Sequence, residues 1–174
     1  MKGPLPLPTE LGHPVPLSFV IGSTDRASVG VTGFLSFSNG FKFDVVIVVR
    51  DADPKLNPLR VFNIDEYSRS HLSSPETGFT FSLEFADASV SESNYTFDLS
   101  QPYTSSAAAR SLILLGASGG GGRWTQSWFA APLPAAGALS FKCKWPHIQL
   151  GGNYVVSSTK EILKAASASK QLLP

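Results

Sequence analysis

The chain has 174 residues, a length that folds as one domain burying roughly 70% of its unfolded surface without staples. Lys and Arg number 14 against 13 Asp and Glu, and a charge of +1 provides no long-range field for gathering nucleic acid or an anionic membrane. Only 16% of residues are charged while Gly (15) and Pro (13) abound, which favours short strands joined by turns over helices.

Prolines at 4, 6, 8, 14 and 16 fix φ and remove amide donors. Residues 1–16 are therefore expected to form an extended arm along the surface, with an SH3-type ligand as the alternative. Every apolar run in the first twenty residues is broken by Pro, Gly or a polar residue, so no signal-peptide core is expected. No run approaches the roughly twenty residues of a membrane-spanning helix. The lone Cys143 excludes an intrachain disulfide and fits a reducing compartment, so a cytoplasmic protein is expected. The Asn94-Tyr95-Thr96 sequon is then read as chance.

From Leu17 the apolar period becomes two, through Leu17, Phe19 and Ile21 and then Val29, Val31, Gly33, Leu35 and Phe37. Ser38-Asn39-Gly40 leads into Phe41, Phe43, Val45, Ile47 and Val49, predicting a hairpin over 29–50. Val46 and Val48 are apolar on the second face too, which places this strand centrally in its sheet. Residues 51–78 lose the alternation and collect Asp, Asn, Pro and Ser, a long excursion that Leu59, Val61, Phe62 and Ile64 could dock on the core.

Phe79, Phe81, Leu83 and Phe85 restore a half-exposed strand, and Tyr95, Phe97 and Leu99 repeat the pattern more weakly. Ser111 to Leu115 offers a short apolar strand. Residues 116–122, GASGGGG, read as a mobile loop between strands, because glycine raises the entropy cost of ordering. Trp124, Gln126, Trp128 and Ala130 share one parity until Pro132 and Pro134 close that strand. Leu139, Phe141, Cys143 and Trp145 form another, and Tyr154 to Val156 a last short one. Ser158-Thr159-Lys160-Glu161 matches a capping box, so residues 159–170 are predicted helical. About eight or nine strands and one terminal helix predict an all-β domain over 17–174, a two-sheet antiparallel β-sandwich of immunoglobulin-like or jelly-roll type.

The chemistry-bearing residues are sparse. The glycine run lacks the Lys-Ser/Thr of a phosphate loop and precedes a strand pattern, so it is not read as a phosphate cradle. Arg123, Trp124 and Trp128 are the candidate ligand-binding residues, an aromatic platform with an adjacent cation; core packing of the tryptophans, Trp145 included, is the competing reading. His13, His71 and His147 lie far apart and suggest no metal site. No serine sits in a nucleophile elbow. Asp51, Asp53, Asp65 and Glu66 could ligate calcium or act as a carboxylate pair, though turn formation explains them as well. Cys143 has the apolar parity of a buried, inert thiol. No cofactor and no catalytic residue is expected.

The run GGGGRWTQSWFAAPLPAAGALSFKCKWP, with GFTFSLEFAD upstream, resembles a family of actinobacterial β-rich proteins without assigned function. The shared order is a Gly-rich loop, an aromatic strand, a Pro-Leu-Pro turn and a strand ending in Cys-x-Trp-Pro. That resemblance implies an intracellular bacterial protein of β-rich fold and brings no activity with it. The leading expectation is a non-enzymatic module for macromolecular interaction or self-assembly, with a protein partner or a second copy and neither nucleic acid nor membrane. A small-ligand or carbohydrate-binding sandwich using Arg123, Trp124 and Trp128 is the alternative. A hydrolase with a site in the 51–71 loop, around His71, is the second.

Overall fold

The computed structural model describes residue 5 and residues 9–50, 79–92 and 110–172. The expected excursion over 51–78 and the strand through Tyr95, Phe97 and Leu99 lie outside the described residues. In chain order the strands are β1 (Glu10–Leu11), β2 (His13–Pro14), β3 (Phe19–Ser23), β4 (Ala27–Phe37), β5 (Gly40–Val49), β6 (Thr80–Phe85) and β7 (Val90–Glu92). They continue with β8 (Ser111–Gly120), β9 (Arg123–Ala131), β10 (Leu139–Trp145), β11 (Leu150–Val156), helix α1 (Lys160–Ser167) and β12 (Lys170–Gln171). The larger sheet has the order β2-β4-β5-β9-β8, with β3 sharing the β4 edge, and the smaller has the order β11-β10-β6-β7. The chain is thus mostly β, with two antiparallel sheets packed together and not closed into a barrel.

Alternation builds the layer between the sheets. Phe41, Phe43, Val45, Ile47 and Val49 of β5 turn inward to meet Phe81, Leu83 and Phe85 of β6 and Leu139, Phe141, Cys143 and Trp145 of β10. Phe43 sits at the centre, its ring 5.5 Å from Phe141 at an interplanar angle of 87° and 5.7 Å from both Phe34 and Phe81. Burying each such ring stabilises the fold by about 1.5–3 kcal/mol, and edge-on rings add to that.

The β4–β5 hairpin is present, with two changes. Phe37 pairs with Gly40, so the turn is Ser38-Asn39 and Gly40 already belongs to β5. Gly40 is required by crowding rather than by the turn: a Cβ there would run into the Ala130 carbonyl oxygen and the Phe129 ring. The expected single face from Val29 to Phe37 is also broken. At Gly33, φ is +67° and the β4–β5 register shifts between Thr32 and Leu35. This bulge turns Phe34 and Ser36 to the core. Leu35 and Phe37 instead join Phe129 and Ala131 in a small cluster of their own.

Helix α1 is shorter than the expected 159–170, and its start differs from the predicted capping box. Ser158 Oγ accepts from the Lys160 amide at 3.3 Å, while the buried Thr159 hydroxyl donates to the Ala135 carbonyl (2.9 Å) and accepts from the Gly137 amide (3.2 Å). The helix therefore begins where it is stitched to the turn after β9. Ile162 and Ala165 join the main core, and Ser36 Oγ donates to the Ile162 carbonyl at 2.8 Å. Beyond the helix, β12 pairs with β1. The Glu10 carboxylate, almost fully buried, accepts from the Ser38 amide at 2.7 Å, the Ser38 hydroxyl at 2.8 Å and the Ser169 hydroxyl. Both ends of the described chain are thereby fastened to the β4–β5 turn. The arm expected over 1–16 thus has paired segments at β1 and β2, and its Val15 is part of the core.

Candidate functional site

The glycine run is where sequence and structure diverge most. Residues 116–120 are not a loop but the outer half of β8, paired with β9 as far as Gly120 opposite Arg123. The turn is Gly121-Gly122 alone, with φ of +58° and +82°, the positive values that a two-residue hairpin of type I′ needs at both positions. The Val49 amide donates to the Gly122 carbonyl at 2.7 Å, and a Cβ on Gly122 would stand 2.7 Å from the Val49 oxygen. The turn is docked on the end of β5, which corrects the expectation of a mobile loop.

The three candidate binding residues separate on this hairpin. Arg123 is exposed and forms no ion pair among the described residues. Trp124 is half-buried, with the inward parity of its β5 partner Ile47. Its indole lies across the opposite strand, since a Cβ on Gly119 would meet Trp124 Cε3 at 2.6 Å. Trp128 is completely buried and its Nε1 donates to Gln126 Oε1 at 3.2 Å. Trp145 is completely buried as well. The structure therefore does not place Trp124 and Trp128 side by side on a surface: Trp128 is enclosed in the core, and Trp124 uses part of its own face to cover a glycine strand.

His13 and His147 are exposed in different segments, and His71, Asp51, Asp53, Asp65 and Glu66 lie outside the described residues. Among the described residues no three His, Cys, Asp or Glu side chains gather where a metal could be held, and no helix is long and apolar enough to cross a membrane. Burial raises the Cys143 thiol to about 11, so it stays protonated and a poor nucleophile.

Two features that periodicity missed remain. The first is the outer edge of the larger sheet. Leu115 to Gly120 are six consecutive exposed residues, and among the described residues no strand pairs with β8 on the side away from β9. The second is a groove of about 700 Å³ where β2 and β3, sharing one edge of β4, part around Pro16. Its wall carries Lys42 and Asp44, which form an ion pair of 3.1 Å, and Ser127 Oγ donates to the same Asp44 oxygen at 2.6 Å. Both features come from strand order and bulges. The only sequence signals for them were the lack of charge from 111 to 120 and the opposite charges of Lys42 and Asp44 on the outward face of an apolar strand.

Comparison of the chain with protein-family models, with curated proteins and with solved structures returned no match.

Proposed function

We propose that this protein is a non-enzymatic interaction module which binds a strand of another polypeptide, in the first instance a second copy of itself, along the outer edge of β8. The observation that supports this reading is that, among the described residues, no strand lies on that edge. Unpaired backbone amides and carbonyls in an extended strand are a template for a further strand, and natural edges are usually blunted by Lys, Pro or brevity. β8 has none of these over Ser111–Gly120, and its side chains beyond Leu115 are no larger than Ser. The finer fold reading, an immunoglobulin-like or jelly-roll β-sandwich, belongs to the same proposal and is supported by the two antiparallel layers.

Sedimentation velocity over a range of concentrations tests it. The wild type associates with rising concentration, and Ser118→Lys, at an exposed position where folding stability changes by about 0.5 kcal/mol or less, stays monomeric. A monomer at every concentration, or association that survives Ser118→Lys, overturns the reading.

A further inference from the structure

The groove beside the β4 bulge is independent of the β8 edge and calls for its own account. It exists because Val15 to Ser18 leave the sheet between β2 and β3: the Val15 amide still donates to the Phe34 carbonyl at 3.0 Å, while the Leu17 amide turns back to the Val15 carbonyl at 2.8 Å. Gly33 deepens it, since a Cβ at that position would stand 2.6 Å from Asp44 Oδ2. Its volume of about 700 Å³ leaves room for a small molecule, in a groove open to solvent rather than an enclosed cavity.

The charges on the wall decide what chemistry fits. Lys42 and Asp44 are the charged side chains lining the groove, and they neutralise one another. Asp44 Oδ1 already accepts from both Lys42 Nζ and Ser127 Oγ, whereas Oδ2 lies against the bulge glycine. Because the two charges lie 3.1 Å apart and cancel, a lone cation or anion gains little net attraction there. A neutral group carrying adjacent donors and acceptors satisfies both. Pro14, Pro16 and Leu17 face this polar pair with apolar surface. We propose that the groove binds a saccharide ring, with neighbouring hydroxyls donating to Asp44 and accepting from Lys42 and the C–H face of the ring resting on Pro14, Pro16 and Leu17.

The test is a titration of the full chain followed by backbone amide NMR. The saccharide probes are glucose, galactose, mannose and N-acetylglucosamine; methylammonium and acetate are the charged probes. At least one saccharide should give saturable shifts centred on Leu17, Gly33, Leu35, Lys42 and Asp44, and neither charged probe should. Removing one charged hydrogen-bonding partner should weaken that saccharide about tenfold in Asp44→Asn and, separately, in Lys42→Gln. Asp44→Asn should also gain acetate binding, and Lys42→Gln should gain methylammonium binding. The two variants carry opposite charge at the groove, so a folding defect in one leaves the other decisive. No saturable shift with any of the four saccharides, shifts centred elsewhere, or tighter binding of a charged probe by the wild type overturns the proposal.

Discussion

Gly33 and Gly116 show how much a single glycine's meaning depends on its surroundings. Both lie within strands, Gly33 in an alternating run and Gly116 at the head of the glycine-rich stretch. Yet Gly33 has φ of +67° and a carboxylate oxygen 2.6 Å from where its Cβ would be, whereas a Cβ on Gly116 meets nothing within 4 Å. Gly33→Ala should therefore destabilise the protein by about 2 kcal/mol, and Gly116→Ala should change stability by no more than about 0.5 kcal/mol. Urea unfolding of the two variants checks this, and equal losses would contradict the bulge. The same blindness explains the misplaced face of β4. Period-two counting carries Leu35 and Phe37 along with Val29 and Val31, because an inserted residue that flips parity leaves no mark on the count. Trp128 was legible as core from its parity; the half-buried state of Trp124 depends on Gly119 across the hairpin, which strand-by-strand reading does not bring opposite it.

At the scale of elements, the sheets are held together along both sides by contacts that cross between them. On one side β3 and β11 approach so closely that a Cβ on Gly152 would collide with the Ile21 carbonyl oxygen, and Gly22 lies 3.0 Å from the Gly151 oxygen on the same measure. On the other side Arg110, just before β8, reaches the β6–β7 turn. Its Nη2 donates to Asp87 Oδ2 at 2.7 Å, its Nε donates to Ser89 Oγ, and its guanidinium lies 3.8 Å over the Phe85 ring. The Ser89 hydroxyl and then Arg110 hold the Asp87 carboxyl well below the usual carboxylate range. A lowered folded-state value means that the stabilisation is full above the unfolded carboxylate value of about 4 and is lost as pH falls below it. The exposed position of Asp87 keeps the effect modest. Asp87→Asn should accordingly be less stable than the wild type at neutral pH, with the gap closing on acidification below about pH 4. Thermal unfolding across pH reads this directly, and a gap that stays constant into acid would contradict it. Strands β5, β6 and β10 were readable from alternation alone, but this clamp was not, since Asp87, Ser89 and Arg110 are ordinary turn and loop residues in the sequence.

Across the whole molecule, the edges of the two main sheets have different fates among the described residues. Pro14 and Pro16 interrupt the β2–β3 edge, β11 abuts β3, and β7 ends the smaller sheet with three residues beside the Arg110 clamp. Only β8, among the described strands, runs ten residues at an edge with neither charge nor proline. The two-layer architecture was visible in the sequence because inward positions repeat at every second residue of β5, β6 and β10. The order of strands was not, because pairing between distant segments is set by packing across the whole layer. A glycine-rich strand reads as a loop for the same reason: its ladder comes from β9, not from its own side chains.

If β8 binds as proposed, its outer edge is open in the monomer and closed by a partner strand. Hydrogen–deuterium exchange resolved along residues 111–131, at a dilute and a concentrated condition, measures this most directly. In the dilute monomer the outward amides of Leu115 to Gly120 should exchange far faster than those of β9, and on concentration they should gain protection while β9 stays unchanged. Amides of 115–120 as protected as β9 in the dilute monomer, or association that leaves them exchanging freely, would contradict it.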